Sequence, residues 1–196
     1  MSHQAEWRPV DGAAGGWQEF SGSPEVLLSA GHAVEHVRDG AIKAAEAGSA
    51  DVVRDLAEGF GLSAAIAVGP QRGDPNWDED SPYVQALWAR SPGLLVDLHL
   101  MRPRGVDVCL GLGPVQGSVD DVWPIFAAAL VSSEFTVSLN WPFSAGPRTV
   151  TGKTQLIGRR ALQIEINYEL LDERKQPLVL ALGAACQVFV PGRGLA

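Results

Sequence analysis

The sequence predicts a single α/β domain with a mostly parallel or mixed central sheet and helices on both of its faces. Three observations carry this prediction. Short β-rich apolar runs alternate along the chain with segments of helical period. Many of the runs are continuously apolar, as strands buried on both faces require. The chain has 196 residues and 46% hydrophobic content, enough for one large core, and no linker or internal repeat divides it.

Residues 1–16 are rich in Gly, Ala and polar side chains and show neither period, so a flexible N-terminal arm is expected there, with the domain spanning 17–196. Val26 to Ala30, Ala64 to Val68 and Leu94 to Leu98 read as strands. Ala50 to Phe60 and Tyr83 to Ala89 between them have helical period, which gives βαβαβ logic and parallel pairing. Val106 to Leu112 is a further strand, followed by a helix from Val119 to Val131 opened by Ser118, and by the strand Phe135 to Leu139. Ala161 to Leu170 alternates strictly: Leu162, Ile164, Ile166 and Tyr168 share one face, and Gln163, Glu165, Asn167 and Glu169 share the other. A last helix runs from about Lys175 to Phe189, with Pro177 tolerated in its first turn and Gly183 weakening its middle.

The formal charge of −8 comes from scattered acids with no basic run, which argues against nucleic acid and anionic membrane partners. The N-terminus lacks a basic-then-apolar signal pattern and no apolar run nears bilayer length, so a cytoplasmic location is expected. Cys109 and Cys186 lie in apolar stretches and form no C-x-x-C pair. A disulfide framework and a thiolate metal site are both disfavoured, leaving histidines and carboxylates as metal ligands.

In open α/β sheets, ligands bind beyond the carboxyl ends of the strands. His32 follows the strand Val26 to Ala30, and His99 ends the strand that begins at Leu94, so both can face one metal ion. A three-ligand zinc site also needs a carboxylate. Glu46, just before the helix that starts near Ala50, is favoured by that placement; Glu35 is the alternative, through the spacing His32-Ala33-Val34-Glu35. Asp97 shares a strand face with His99 and can support the site indirectly. His36, in a polar Gly-flanked loop, and His3, in the arm, are weaker candidates.

Ser29-Ala30-Gly31-His32, Glu46 before a helix, Asp97-Leu98-His99 and Gln163-Ile164-Glu165-Ile166-Asn167 stand in the order seen in N-formylglutamate amidohydrolases, and the sequence resembles that family over most of its length. The resemblance implies the zinc-carboxypeptidase-like fold, with His32, Glu46 and His99 holding Zn2+ and Glu165 matching the glutamate that handles the water proton. Gly73 to Glu79 occupies the place of the family's D-x-N-R pattern, and Trp77 stands where its arginine is expected. The P-H-x-G pattern is altered too, with Gly31 before His32 and Ala33-Val34 after it. The chain is thus similar to a short, divergent branch.

A carboxylate on an interior strand is costly unless it meets a metal, water or a cation, which agrees with a site role for Glu165. Substrate-binding candidates are Asn76, Arg102 and Arg104 directly after His99, and Arg148 in a later loop. Trp77 and Tyr83 are candidates for an apolar wall. The expected function is zinc-dependent hydrolysis of a small-molecule amide, removing a formyl or acyl group. A noncatalytic metal-binding or ligand-binding relative acting through a partner, and a carboxypeptidase-like peptidase, are the alternatives.

Overall fold

The computed structural model describes residues 6–11, 15–71 and 73–192. In chain order these form strands β1 (Trp7–Val10), β2 (Gly16–Phe20), β3 (Ser23–Ala30), β4 (His36–Arg38) and β5 (Ala41–Lys43), then helix α1 (Ser49–Phe60), β6 (Leu62–Val68), α2 (Pro82–Ala89), β7 (Leu94–Met101) and β8 (Val108–Gly111). A 3-10 turn follows, then α3 (Trp123–Ser132), β9 (Val137–Leu139), α4 (Val150–Leu156), β10 (Ala161–Asn167), α5 (Leu170–Glu173) and α6 (Lys175–Gln187).

Eight strands make one mixed sheet in the order β1-β2-β6-β3-β7-β10-β8-β9. Its centre, β6-β3-β7-β10, is parallel; β2 and β1 extend one side antiparallel, and β8 meets β10 antiparallel on the other. The α/β expectation therefore holds, with parallel pairing where βαβ connections run and antiparallel strands outside.

The two-residue strand period sorts side chains to two layers. Leu28, Val96, Leu98, Leu162, Ile164 and Ile166 pack beneath α1, α3 and α6, where Val52, Phe126 and Leu182 meet them. Leu27, Leu95 and Ala161 face the other way, onto Tyr83, Val84 and Leu87 of α2 and Val150 of α4. Local chemistry sets the helix ends: Ser81 and Thr149 cap α2 and α4 through their hydroxyls, Pro82 fits the first position of α2, and Gly61 ends α1 in the left-handed region at φ 63°.

Two expectations are corrected. The part of the presumed arm over Trp7–Val10 is a sheet strand paired with β2. Trp7 makes this pairing worthwhile, since its ring lies 5.3 Å from Phe20 and its Nε1–H donates to Glu58. His3 and the rest of residues 1–5 lie outside the described residues. The helix expected from Val119 opens at Trp123 instead, because Pro124 belongs in a first turn, and Ser118 caps nothing. Among the described residues, no helix is long and apolar enough to cross a membrane.

Candidate metal centre and cleft

The face of the sheet turned toward α2 and α4 carries a row of polar residues across three parallel strands. Register sets Ser29 of β3 beside Asp97 of β7, and Asp97 beside Gln163 of β10; one pleat further along β7 and β10, His99 stands beside Glu165. All five are buried. Period two puts them on this face, and the opposite, wholly apolar face supplies the core that holds the strands in register.

His32 follows β3 and Glu46 lies in the loop before α1. The Glu46 N–H donates to the His32 carbonyl at 2.9 Å, and Glu46 Oε2 accepts from the Leu100 N–H at 3.0 Å, so the backbone pins this carboxylate between two strand ends. His32 Nδ1 lies 2.9 Å from Glu46 Oε1, and His99 Nδ1 lies 3.1 Å from Glu46 Oε2. The far nitrogens meet buried acids: His32 Nε2 is 2.9 Å from Asp74 Oδ1 and His99 Nε2 is 3.0 Å from Asp97 Oδ2. Asp97 thus supports His99 directly, where the sequence suggested an indirect role, because residues two apart on a strand project to one side. Ser29 Oγ donates to its other oxygen at 2.8 Å.

The donor set fits a zinc ion. His32, Glu46 and His99 offer ligand atoms all within 4.8 Å of one another. An N–H on each Nε2, given to an aspartate, leaves both Nδ1 lone pairs facing Glu46, and this is the tautomer a metal takes. Without a cation these groups share protons. Burial pushes the histidines down but is outweighed by their carboxylate partners, so His32 and especially His99 titrate above 6.5. Burial raises Glu46 and Asp74, yet neighbouring cationic groups hold both below the usual carboxylate range. A second trio, His32, His36 and Asp74, is similarly spaced.

These groups open into a cleft of about 430 Å³, lined also by Asn76, Trp77, Phe143 and Glu165. Burial is the first cause lifting the Glu165 carboxyl to about 7; His99 opposes it, and Glu46 and Asp97 add to it. Gln163 donates to Glu165 Oε1 at 2.8 Å.

The other predicted residues fall in different places. Glu35 is exposed and lines a separate depression with Val34 and Gln71. Asn76 lines the cleft, but its carbonyl accepts the Val150 N–H at the start of α4, at 2.7 Å. Arg102 is exposed in a neighbouring groove, and Arg104 is exposed on the loop after β7. Arg148 stacks 4.6 Å from the Trp77 ring, on which Arg38 also stacks at 4.7 Å. Tyr83 is not a cleft wall: its hydroxyl sits behind the site, 3.1 Å from Ser29 Oγ, and donates to the Ala65 carbonyl.

Sequence reasoning missed Arg38, ranked His36 as a weaker candidate, and gave Asp74 no role of its own within the Gly73 to Glu79 segment. His36 is not in a loop but on a β-hairpin and is buried, at 3% exposure. Asp39-Gly40, both with positive φ, is the turn signal that could have revealed that hairpin.

No family model matches the sequence. No curated protein matches it either. Solved structures do match. A bacteriophage poly-gamma-glutamate hydrolase superposes with a TM-score of 0.64 at 13% identity, over 92% of this chain and 91% of that one. The N-formylglutamate amidohydrolase of Ralstonia eutropha gives 0.59 at 14% identity, over 95% and 98%. A metallo-carboxypeptidase of Burkholderia cenocepacia gives 0.56 at 19% identity, over 96% of this chain and 65% of that one. The fold implied by the family resemblance is the fold of these neighbours.

Proposed function

We propose that this protein is a zinc-dependent amidohydrolase that removes a formyl or acyl group from an amino acid or a similar small amide. One observation carries the reading: two imidazoles turn their Nδ1 atoms to a single carboxylate, with Glu165 on the adjoining strand, all at the floor of one cleft. The fold neighbours named above as a hydrolase, an amidohydrolase and a carboxypeptidase support it.

His32, Glu46 and His99 would hold the ion, and Asp74 and Asp97 fix their ring orientations. Bound zinc supplies Lewis acidity and a water whose pKa falls toward about 7. Glu165 is the proton carrier. Gln163 holds its Oε1, so Oε2 is the oxygen that takes a proton from the attacking water and returns it to the amine nitrogen as the C–N bond breaks. In the metal-free cleft this carboxyl titrates at about 7; a bound cation lowers that value and leaves Glu165 as the carboxylate base that takes the first proton. Arg148, stacked on the cleft residue Trp77, is the candidate anchor for a substrate carboxylate.

Elemental analysis is expected to find one zinc per chain, and a panel of formyl- and acyl-amino acids to contain a substrate. Glu165→Gln should retain zinc and lose turnover by about 100-fold or more. Zinc-loaded protein that binds one of these amides and leaves it intact would favour the noncatalytic reading.

A further inference from the structure

We propose that the β4–β5 hairpin is a positioning device for the candidate metal centre, with Arg38 orienting His32 through Asp74; this rests on the metal reading above. Neither His36 nor Arg38 belongs to the motifs that carry the family resemblance.

The hairpin turns at Asp39 and Gly40, with φ of 51° and 76°, and pairs His36 with Lys43. Period two then places His36 and Arg38 on one side, with Val37 on the other. Both touch His32. The His36 ring is stacked on it at 4.1 Å between centroids with 3° between planes, which fixes the plane of the imidazole. His36 is itself tethered by its Nδ1, 3.1 Å from the Val34 carbonyl.

Rotation within that plane is fixed by Asp74, and Asp74 is fixed by Arg38. This aspartate is fully buried. Its Oδ1 faces His32 Nε2 and accepts the N–H groups of Asn76 at 2.9 Å and Trp77 at 3.1 Å. Its Oδ2 accepts from Arg38 Nε at 2.5 Å. Arg38 Nη2 also stands 3.1 Å from His32 Nε2, where it makes no hydrogen bond while that nitrogen gives its N–H to Asp74, and the guanidinium rests 4.7 Å from the Trp77 ring. The Arg38 Nε–H bond to Oδ2, made by a planar guanidinium that rests on the Trp77 ring, orients this carboxylate more tightly than a flexible ammonium would.

The same contacts decide against a second metal among His32, His36 and Asp74. The Arg38 guanidinium already lies against two of those three residues and supplies the positive charge there. Its loss would leave a buried carboxylate without its fixed cation, free to turn and to release the His32 ring.

The test is zinc affinity by chelator competition, with zinc-release rates, on full-length wild type and four variants. Arg38→Gln is expected to weaken zinc about 10- to 100-fold, the scale for supporting partners of a ligand. Arg38→Lys should recover part of that loss. His36→Phe keeps the stack but gives up the 3.5 Å approach of Nε2 to Asp74 Oδ2, so it should hold zinc more tightly than His36→Ala, which should release it faster. Should Arg38→Gln fail to fold, Arg38→Lys decides: intermediate affinity supports the assignment and wild-type affinity overturns it. Unchanged affinity in Arg38→Gln and His36→Ala overturns the assignment while leaving the metal reading intact. So does a wild-type stoichiometry of two zinc ions that falls to one in His36→Phe, since His36 would then be a ligand. Wild-type protein that takes up no zinc sinks the metal reading and this assignment together.

Discussion

A carboxyl group buried at the floor of a cleft carries a folding cost, and at Glu165 that cost has a defined pH window. Its folded titration point, about 7, lies above the ordinary 4.5, so the stability tied to its protonated form is complete below about 4.5 and is lost as pH rises through 7. Glu165→Gln removes this loss and keeps the shape. In zinc-stripped protein the variant should therefore match wild type at pH 4 and exceed it at pH 8 by on the order of 1–3 kcal/mol, measured by urea unfolding. Equal stability at both pH values would place the carboxylate in an unstrained, solvated setting. Glu165 was legible in the sequence because strand alternation exposes an acid that no core would bury idly, and His32 and His99 because each ends an apolar run. Asp74 was legible only as the first residue of the altered D-x-N-R pattern, and not as a partner of His32: the two meet across 42 residues through an irregular loop, and no local period encodes that meeting.

At the scale of elements, propensity and packing part company at two glycines. Gly183, in the middle of α6, is unfavourable by helix propensity, yet a Cβ there would lie 2.1 Å from the Phe60 ring of α1, so the missing side chain lets the two helices close. Gly59, near the end of α1, has open space around its absent Cβ. Gly59→Ala should therefore stabilise the fold by about 0.5–1 kcal/mol, whereas Gly183→Ala should destabilise it by about 1–3 kcal/mol through overpacking. Thermal unfolding of the two variants reads the opposite signs directly, and a gain in both would mean that α1 and α6 do not pack this closely. The strands and helices of the parallel centre were legible because burial on both faces writes long apolar runs. β1 was hidden by its edge position, where Trp7 and Val10 are half-buried and the two residues between them exposed, and the β4–β5 hairpin by its polar composition.

For the whole molecule, the candidate ligands tie together distant stretches: Glu46 is 14 residues from His32 and 53 from His99, and the three join the end of β3, the loop before α1 and the central strand β7. Such a site exists only when the sheet is assembled, so an ion held there binds the folded chain and not the unfolded one. Zinc in thousandfold excess over its dissociation constant then adds about 4 kcal/mol to unfolding. For a domain of this size that amounts to a rise in Tm of about 8–16 °C over protein treated with a chelator. His99→Ala should abolish the response to zinc, because one imidazole and one carboxylate leave too few ligands for tight binding. Scanning calorimetry with and without zinc checks this. A wild-type Tm indifferent to zinc would show that the assembled sheet does not gather these ligands around an ion, and a full shift surviving in His99→Ala would remove that histidine from the set.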